Sequence, residues 1–275
     1  MKTRLITAAI AVAVFLPFLF YSGTFATVVL ACVLSVLAEY EMLNCIGILK
    51  KATVSVPAFI VAFLLPFGVR FFENGEKFVE YAFFLLFAFV FYVMLSAIAK
   101  TITLEESAIA GIWTIYISFA FSSLVLLRDL NHGEYLYVLV FLIPWISDAF
   151  AYFIGVKFGR HKLAPEISPK KSVEGSVAGI VFGTLAPICY GFGVEQLYGA
   201  EPSYLALFIL GLIISVVSQC GDLAASLVKR RFGIKDYGTI FPGHGGIIDR
   251  FDSVLPTAPF MYILCSGFSF FTLFN

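Results

Sequence analysis

The sequence predicts an all-α fold, that of a polytopic integral membrane protein with about nine transmembrane helices. The first observation is compositional: 60% of the 275 residues are hydrophobic and the mean hydropathy is +0.96. Only 13% are charged, roughly half the ~25% of a soluble domain. A chain of this length cannot bury so much apolar surface in one core, so we expect lipid to cover it. The second observation is that apolar residues form unbroken runs, such as Phe83–Phe87, which favour helices over an alternating membrane barrel.

The boundaries of the spans follow from where charges and turn residues interrupt the apolar runs. A bilayer core about 30 Å thick needs ~20 apolar residues per helix. We place the spans near residues 5–21, 24–48, 52–72, 79–99, 107–127, 135–156, 174–194, 203–228 and 254–273. The first of these could also be a signal peptide, but we interpret it as a membrane helix.

The orientation follows from the distribution of Lys and Arg, which accumulate in cytoplasmic loops. With nine helices and a cytoplasmic N-terminus, fifteen of the 18 lie in inner segments, and the outer segments hold only Arg70, Lys77 and Arg128. We therefore expect a protein of the inner (plasma) membrane whose N-terminus is cytoplasmic and whose C-terminus lies outside.

The charged residues divide the chain into a scaffold and a catalytic region. Residues 148–175 hold eight charges and residues 222–252 hold nine, so about a fifth of the chain carries 17 of the 36 charges. We expect residues 1–134 to form an N-terminal scaffold of membrane helices. Residues 135–275 would form the catalytic region, with a cytoplasmic-side active site built from 148–175 and 218–253.

The first charged segment contains a carboxylate and a cationic stretch. Asp148 lies in apolar sequence, where a charge would cost about 2.5–3.5 kcal/mol at a bilayer centre, so we expect it to face a protein interior, a wet cavity or the membrane surface. It has either a functional role or a structural partner. Residues 168–175 combine two lysines, two hydroxyls and a glycine just before a helix, which is typical of a phosphate site. Juxtamembrane lysines can equally serve only to set topology.

The second charged segment contains a polar stripe, three carboxylates and several cations. Ser218, Asp222, Ser226 and Lys229 recur at helical spacing and share one face, which lines a cavity or a helix contact. Asp222 joins two later carboxylates, Asp249 and Asp252, beside Lys and Arg. Hard oxygen ligands of this kind suit Mg²⁺ bound together with phosphates, and a second cation is compatible with them.

Three further residues keep two interpretations open. His244 is either a hydrogen-bond donor to phosphate or a structural residue. Glu39 and Glu41, near the second span, are either functional or part of an interface.

These residues resemble the signature of the phosphatidate cytidylyltransferases (CDP-diacylglycerol synthases). The match comprises Ser226–Arg230, Lys235–Gly238 and Phe241–Asp252, and it holds at every specified position. The similarity extends to residues 168–175, where the family usually has Thr in place of Ser172, and to Asp148, Tyr152, Gly155 and Gln219–Asp222. It spans roughly 148–253, whereas the N-terminal half matches only in hydropathy.

The resemblance implies the reaction of CTP with phosphatidic acid to give CDP-diacylglycerol and pyrophosphate, with Mg²⁺, in phospholipid biosynthesis. The lipid phosphate is already a nucleophile, so the protein's task is to hold two polyanions in line and offset their charge. We expect metal ligands at Asp222 and Asp249, with Asp252 as a third candidate. We expect catalytic or phosphate-contacting roles for Lys229, Arg230, Lys235, Asp236, His244 and Arg250. We expect substrate-binding roles for Asp148, Ser168, Lys170, Lys171, Ser172, Glu174 and Ser226.

Two alternatives remain open on the sequence. A CTP-dependent lipid-alcohol kinase would share CTP and metal but attack the γ-phosphate, and the complete signature disfavours it. An anion transporter would place polar groups near the midplane in two symmetric halves, whereas here they lie in one half. We also expect association, in the form of a homodimer.

Overall fold

The computed structural model describes Gly23 and residues 25–72, 75–241 and 245–274, so the predicted span at 5–21 lies outside the described residues. Seven described helices are long and apolar enough to cross a membrane. They are α1 (Phe25–Ile46), α2 (Ala52–Phe71), α3 (Gly75–Ile98), α4 (Leu104–Arg128), α5 (Gly133–Phe158), α6 (Val173–Tyr198) and α7 (Tyr204–Arg231). At 1.5 Å per residue each is at least about 30 Å long, which matches a bilayer core. The predicted class, an all-α polytopic membrane protein, is confirmed.

The C-terminal helix is shorter than the sequence predicts. After the single-turn α8 (Ile248–Phe251), α9 covers Val254–Gly267, only 14 residues, and a 3₁₀ turn follows at Ser269–Phe271. The predicted span 254–273 is therefore wrong beyond Gly267. The backbone there finds partners outside a helix, because the Ser203 amide donates to the Leu273 carbonyl at 2.9 Å.

A small hairpin, which the sequence pattern does not predict, separates α5 from α6. Strand β1 (Lys162–Ala164) pairs antiparallel with β2 (Ser168–Ser172), with a register irregularity in β1. Ser172 ends β2 and caps α6, since its hydroxyl accepts the Gly175 amide at 3.2 Å. The hairpin thus fixes where the next membrane helix begins.

The described residues form two compact units. The first contains those up to Leu126 together with Arg231–Phe251, and the second contains Leu127–Arg230 together with those from Asp252 onward. The functional division that the sequence predicts at residue 135 stays a prediction. Residues 231–251, which belong to the predicted catalytic region, pack in the same compact unit as the N-terminal helices.

The first unit carries a strongly apolar outer surface. On α3 the rings of Phe83, Phe84 and Phe87 are 71%, 72% and 63% exposed. Such a continuous exposed aromatic face would be a liability in water, and a lipid environment accounts for it.

The second unit brings its helices together through small residues. On α6, Gly175, Gly179 and Gly183 recur every four residues and share one face. A Cβ at Gly179 would lie 2.8 Å from the Ser147 carbonyl of α5 and 2.7 Å from the Gln219 amide of α7. Glycine therefore permits α6 to approach both neighbours closely, as is common in membrane helix packing.

Candidate active site

Three carboxylates from distant parts of the chain converge in the second unit. Asp148 lies on α5, Asp222 on α7, and Asp252 in the turn that precedes α9. The negative charges of Asp148 and Asp222 both act on Asp252, and that of Asp222 also acts on Asp148. We call these three residues the carboxylate cluster.

Two lysines supply the opposing charge. The Lys171 ammonium, at the end of β2, lies 2.5 Å from Asp222 Oδ2, and the two side chains are 27% and 22% exposed. The charge of Lys229 on α7 acts on Asp252. Ser226 donates to Asp222 Oδ1 at 3.4 Å, so the stripe predicted along α7 runs past the carboxylate cluster.

Asp252, the member of the cluster that lies outside the membrane helices, has a strongly raised pKa. Its pKa is raised to about 8, first by burial and then by the negative charge of Asp222; Asp148 acts in the same direction and Lys229 opposes them. The Ser253 hydroxyl donates a hydrogen bond to Asp148. The charges of two lysines do not fully offset those of three half-buried carboxylates, so the cluster favours the uptake of a further cation.

The chemistry of this cluster fits Mg²⁺, which prefers carboxylate oxygens together with phosphate oxygens. Among the residues that the structure describes, no three or more His, Cys, Asp or Glu side chains are arranged as a ready-made metal cage. The Lys171 ammonium instead pairs with Asp222 directly. The fit of this cluster to Mg²⁺ therefore rests on the oxygen donors of the carboxylates and on the negative charge around Asp252.

The hairpin holds the other residues predicted to bind substrate. Ser168 and Lys170 lie on β2, where Lys170 is exposed while Lys171 faces Asp222. The Arg230 guanidinium Nε, from α7, donates to the Ile167 carbonyl at 3.2 Å. This contact anchors the turn of the hairpin.

Two residues with predicted substrate roles have local structural contacts. The hydroxyl of Ser172 caps α6. Glu174 in the first turn of α6 accepts from the His161 backbone amide at 3.2 Å and contacts the His161 ring at 2.7 Å. Both contacts stabilise the junction between the hairpin and α6.

In the first unit, Asp249 binds two backbone amides, one before and one at the end of the glycine-rich segment that precedes α8. Its side chain is 7% exposed, and Oδ2 accepts the backbone amides of Tyr237 at 2.7 Å and Gly246 at 2.9 Å. A predicted metal ligand is thus also an anchor of the backbone. Lys235, Asp236 and Arg250 are exposed, whereas His244 lies outside the described residues.

The structure gives Glu41 and Glu39 different partners, although the sequence leaves the role of both residues open. Glu41 Oε1 accepts the Ile247 amide at 2.9 Å and Oε2 accepts the Ile248 amide at 3.0 Å. Glu39 is fully buried on α1 and accepts from the Thr114 hydroxyl at 2.7 Å. The signal available in the sequence was a carboxylate within an apolar span, which is a functional hypothesis by default, but it applies equally to both residues.

Comparison of the sequence with known proteins identifies the family of this chain. The family model described as "Cytidylyltransferase family" matches residues 2–268. A protein of Bacillus subtilis (strain 168) named phosphatidate cytidylyltransferase is 36% identical, over 98% of this chain and 99% of its own length. Proteins of the same name from Staphylococcus aureus (strain COL) and Staphylococcus haemolyticus (strain JCSC1435) are 34% and 33% identical, each over 96% of this chain and 98% of the relative. The family model and the relatives cover nearly the whole length, and the signature lies within the part that they match: the chain belongs to the cytidylyltransferase family and is a nucleotidyltransferase.

Proposed function

We propose that this protein is a phosphatidate cytidylyltransferase, which makes CDP-diacylglycerol for phospholipid biosynthesis. In the proposed reaction an oxygen of the phosphatidic acid phosphate attacks the α-phosphorus of CTP. The new phosphorus–oxygen bond forms as the bond from the α-phosphorus to the oxygen bridging to the β-phosphorus breaks. The electron pair of that bond leaves on pyrophosphate, and the cytidylyl group is then attached to the lipid.

The observation that carries this proposal is the carboxylate cluster with its two lysines, in a protein whose surface is suited to lipid. Both substrates are polyanions, and transfer between them needs fixed positive charge and a held geometry more than it needs a base. Lys171 and Lys229 provide charge of that sign beside Asp222 and Asp252. A membrane-embedded site also gives the lipid substrate access from the bilayer.

The proposed roles follow the contacts. Asp222 and Asp249 would hold Mg²⁺, as the sequence predicts, with Asp252 as the third candidate ligand. The ion, when bound, would neutralise the charge that develops on the phosphates. Lys171 would then be released from Asp222 to bind a phosphate oxygen, while Lys229 and Arg250 would bind others. Arg230 would contribute by fixing the hairpin that presents Lys171.

The placement of the site on the cytoplasmic side of the plasma membrane is part of the same proposal. It rests on the excess of Lys and Arg in the predicted inner segments. CTP is a cytoplasmic nucleotide, so this orientation gives the site its substrate. Association into a homodimer stays a prediction.

The test is release of pyrophosphate from labelled CTP by the purified protein in mixed micelles. We expect release only when phosphatidic acid and Mg²⁺ are both present. Transfer of the γ-phosphate to a lipid alcohol instead would identify a lipid kinase and refute the proposal. No turnover, together with flux of a labelled anion in liposomes, would identify a transporter.

A further inference from the structure

We propose that Glu41 is a positioning residue of the active site, because its carboxylate holds the backbone from which Asp249 and Arg250 project. The inference rests on the proposed function for its kinetic consequence, but not for its structural one. Glu41 belongs to the N-terminal helices, outside the segment that carries the signature. It therefore adds a requirement for activity from the predicted N-terminal scaffold, and it decides for Glu41 between the functional and interface roles that the sequence left open.

The contact between Glu41 and α8 is bidentate and buried. The two carboxylate oxygens accept two successive amides, Ile247 at 2.9 Å and Ile248 at 3.0 Å, and the Glu41 side chain is 1% exposed. Hydrogen bonds from amides to an ionised acceptor are roughly twice as strong as neutral ones. These amides have no carbonyl partner within α8, as is usual for the first residues of a helix.

Helix α8 depends on such support because it is only four residues long. A single turn of helix is unfavourable on its own, since several dihedral angles are fixed for one hydrogen bond. Glu41 supplies two bonds at its start, and Asp249 supplies two more by accepting the amides of Tyr237 and Gly246. Two buried carboxylates thus hold the backbone at Tyr237 and from Gly246 to Ile248, and Arg250 lies within the helix that begins there.

Two glycines leave the space that the Glu41 carboxylate occupies. A Cβ at Gly238 or Gly246 would collide with Glu41 side-chain atoms. Gly245, by contrast, needs glycine for its backbone, with φ at +89°. Gly246 is not in the left-handed region, so the requirement for glycine there comes from the carboxylate.

The structural half of the test is amide hydrogen exchange on the full-length protein, comparing Glu41→Gln with Glu39→Gln. Glutamine at 41 retains one acceptor oxygen and turns an NH₂ group toward the other amide. We expect faster exchange at Ile247 and Ile248 in Glu41→Gln only, because Glu39 on the same helix bonds to Thr114 instead. Unchanged exchange in Glu41→Gln would overturn the proposal.

The kinetic half separates positioning from general support of the fold. We expect Glu41→Gln to lower kcat about tenfold, about 1.4 kcal/mol of barrier, while KM for CTP changes by less than about twofold. Glu39→Gln should retain wild-type kcat. In an Arg250→Ala background, Glu41→Gln should lower kcat by a smaller factor than it does in the wild type, because part of its effect acts through Arg250. Wild-type kcat in Glu41→Gln, or full additivity with Arg250→Ala, would overturn the proposal.

A second variant covers the case in which Glu41→Gln does not fold. Gly246→Ala keeps every hydrogen-bonding group and displaces only the carboxylate, so it should also speed exchange at Ile247 and lower kcat. Wild-type exchange and kcat in Gly246→Ala would overturn the proposal. If the wild-type protein released no pyrophosphate, the proposed function would fail, and the exchange experiment would still decide whether Glu41 holds α8.

Discussion

Replacement of Asp222 by Asn should abolish turnover while leaving the fold almost unchanged. Asp222 pairs with Lys171 at 2.5 Å, and both side chains are about a quarter exposed, so loss of this ion pair should cost only about 1 kcal/mol. The same change removes a negative charge that acts on Asp252 and Asp148. Relief of that repulsion offsets part of the loss, and the net change in unfolding free energy should stay within about 1 kcal/mol.

The effect on catalysis should be far larger than the effect on stability. Asn is a weak ligand for a hard cation, and the loss of one group that stabilises transition-state charge costs about 10²–10³-fold in rate. We expect a fall near the upper end, about 10³-fold, or about 4 kcal/mol of barrier. The assay is pyrophosphate release at saturating Mg²⁺, with thermal unfolding in detergent as the measure of stability.

The matched control is Lys51→Ala, which removes an ion pair of similar exposure outside the carboxylate cluster. Lys51 Nζ lies 2.8 Å from Glu106, and the side chains are 39% and 28% exposed. Both stability and rate should change little. A near wild-type rate for Asp222→Asn at saturating Mg²⁺ would show that our metal site is wrong.

Three further predictions concern other parts of the molecule. Asp249→Asn should also abolish pyrophosphate release, with the protein still extracting normally in detergent; substantial residual activity would remove Asp249 from the metal site. Because folded Asp252 has a pKa of about 8 against about 3.9 unfolded, the folded metal-free protein binds more protons between these values. Its unfolding temperature should therefore fall as pH rises from about 4 to about 8, and Asp252→Asn should flatten this slope, whereas an unchanged slope would contradict the assignment. Gly179→Val should destabilise the protein by about 1–3 kcal/mol through overpacking against α5 and α7. Gly193→Val, on the same helix in open space, is the control, and equal unfolding temperatures would refute the packing argument.

The membrane helices could be predicted from the sequence because hydropathy and span length are local properties. The end of the last helix could not, since the residues after Gly267 are as apolar as the helix, while the Leu273 carbonyl accepts the amide of Ser203, 70 residues earlier in the chain. The hairpin was missed for a related reason. Its second strand, Ser168–Ser172, is short and contains a proline and two lysines, so its local β preference is weak.

The candidate site was predictable residue by residue, but its assembly was not. Asp148, Asp222 and Asp252 each stand out as carboxylates beside or within apolar spans. Nothing local indicates that Lys171 pairs with Asp222. Glu39 and Glu41 are a second example. Both are carboxylates in the same apolar run, yet Glu39 bonds to α4 and Glu41 to the backbone at the start of α8.

The bond between Glu41 and α8 also has a consequence for biogenesis. The two partners are separated by 206 and 207 residues, and ribosomes add about 5–20 residues per second. Glu41 on α1 is therefore synthesised about 10–40 s before the Ile247 and Ile248 amides to which it bonds. Until residues 247 and 248 are synthesised, the Glu41 carboxylate lacks the two amides that it binds in the folded protein. A truncated chain that ends before residue 247 would therefore keep a carboxylate within an apolar helix without these two amide partners, which is a cost that only the finished chain removes.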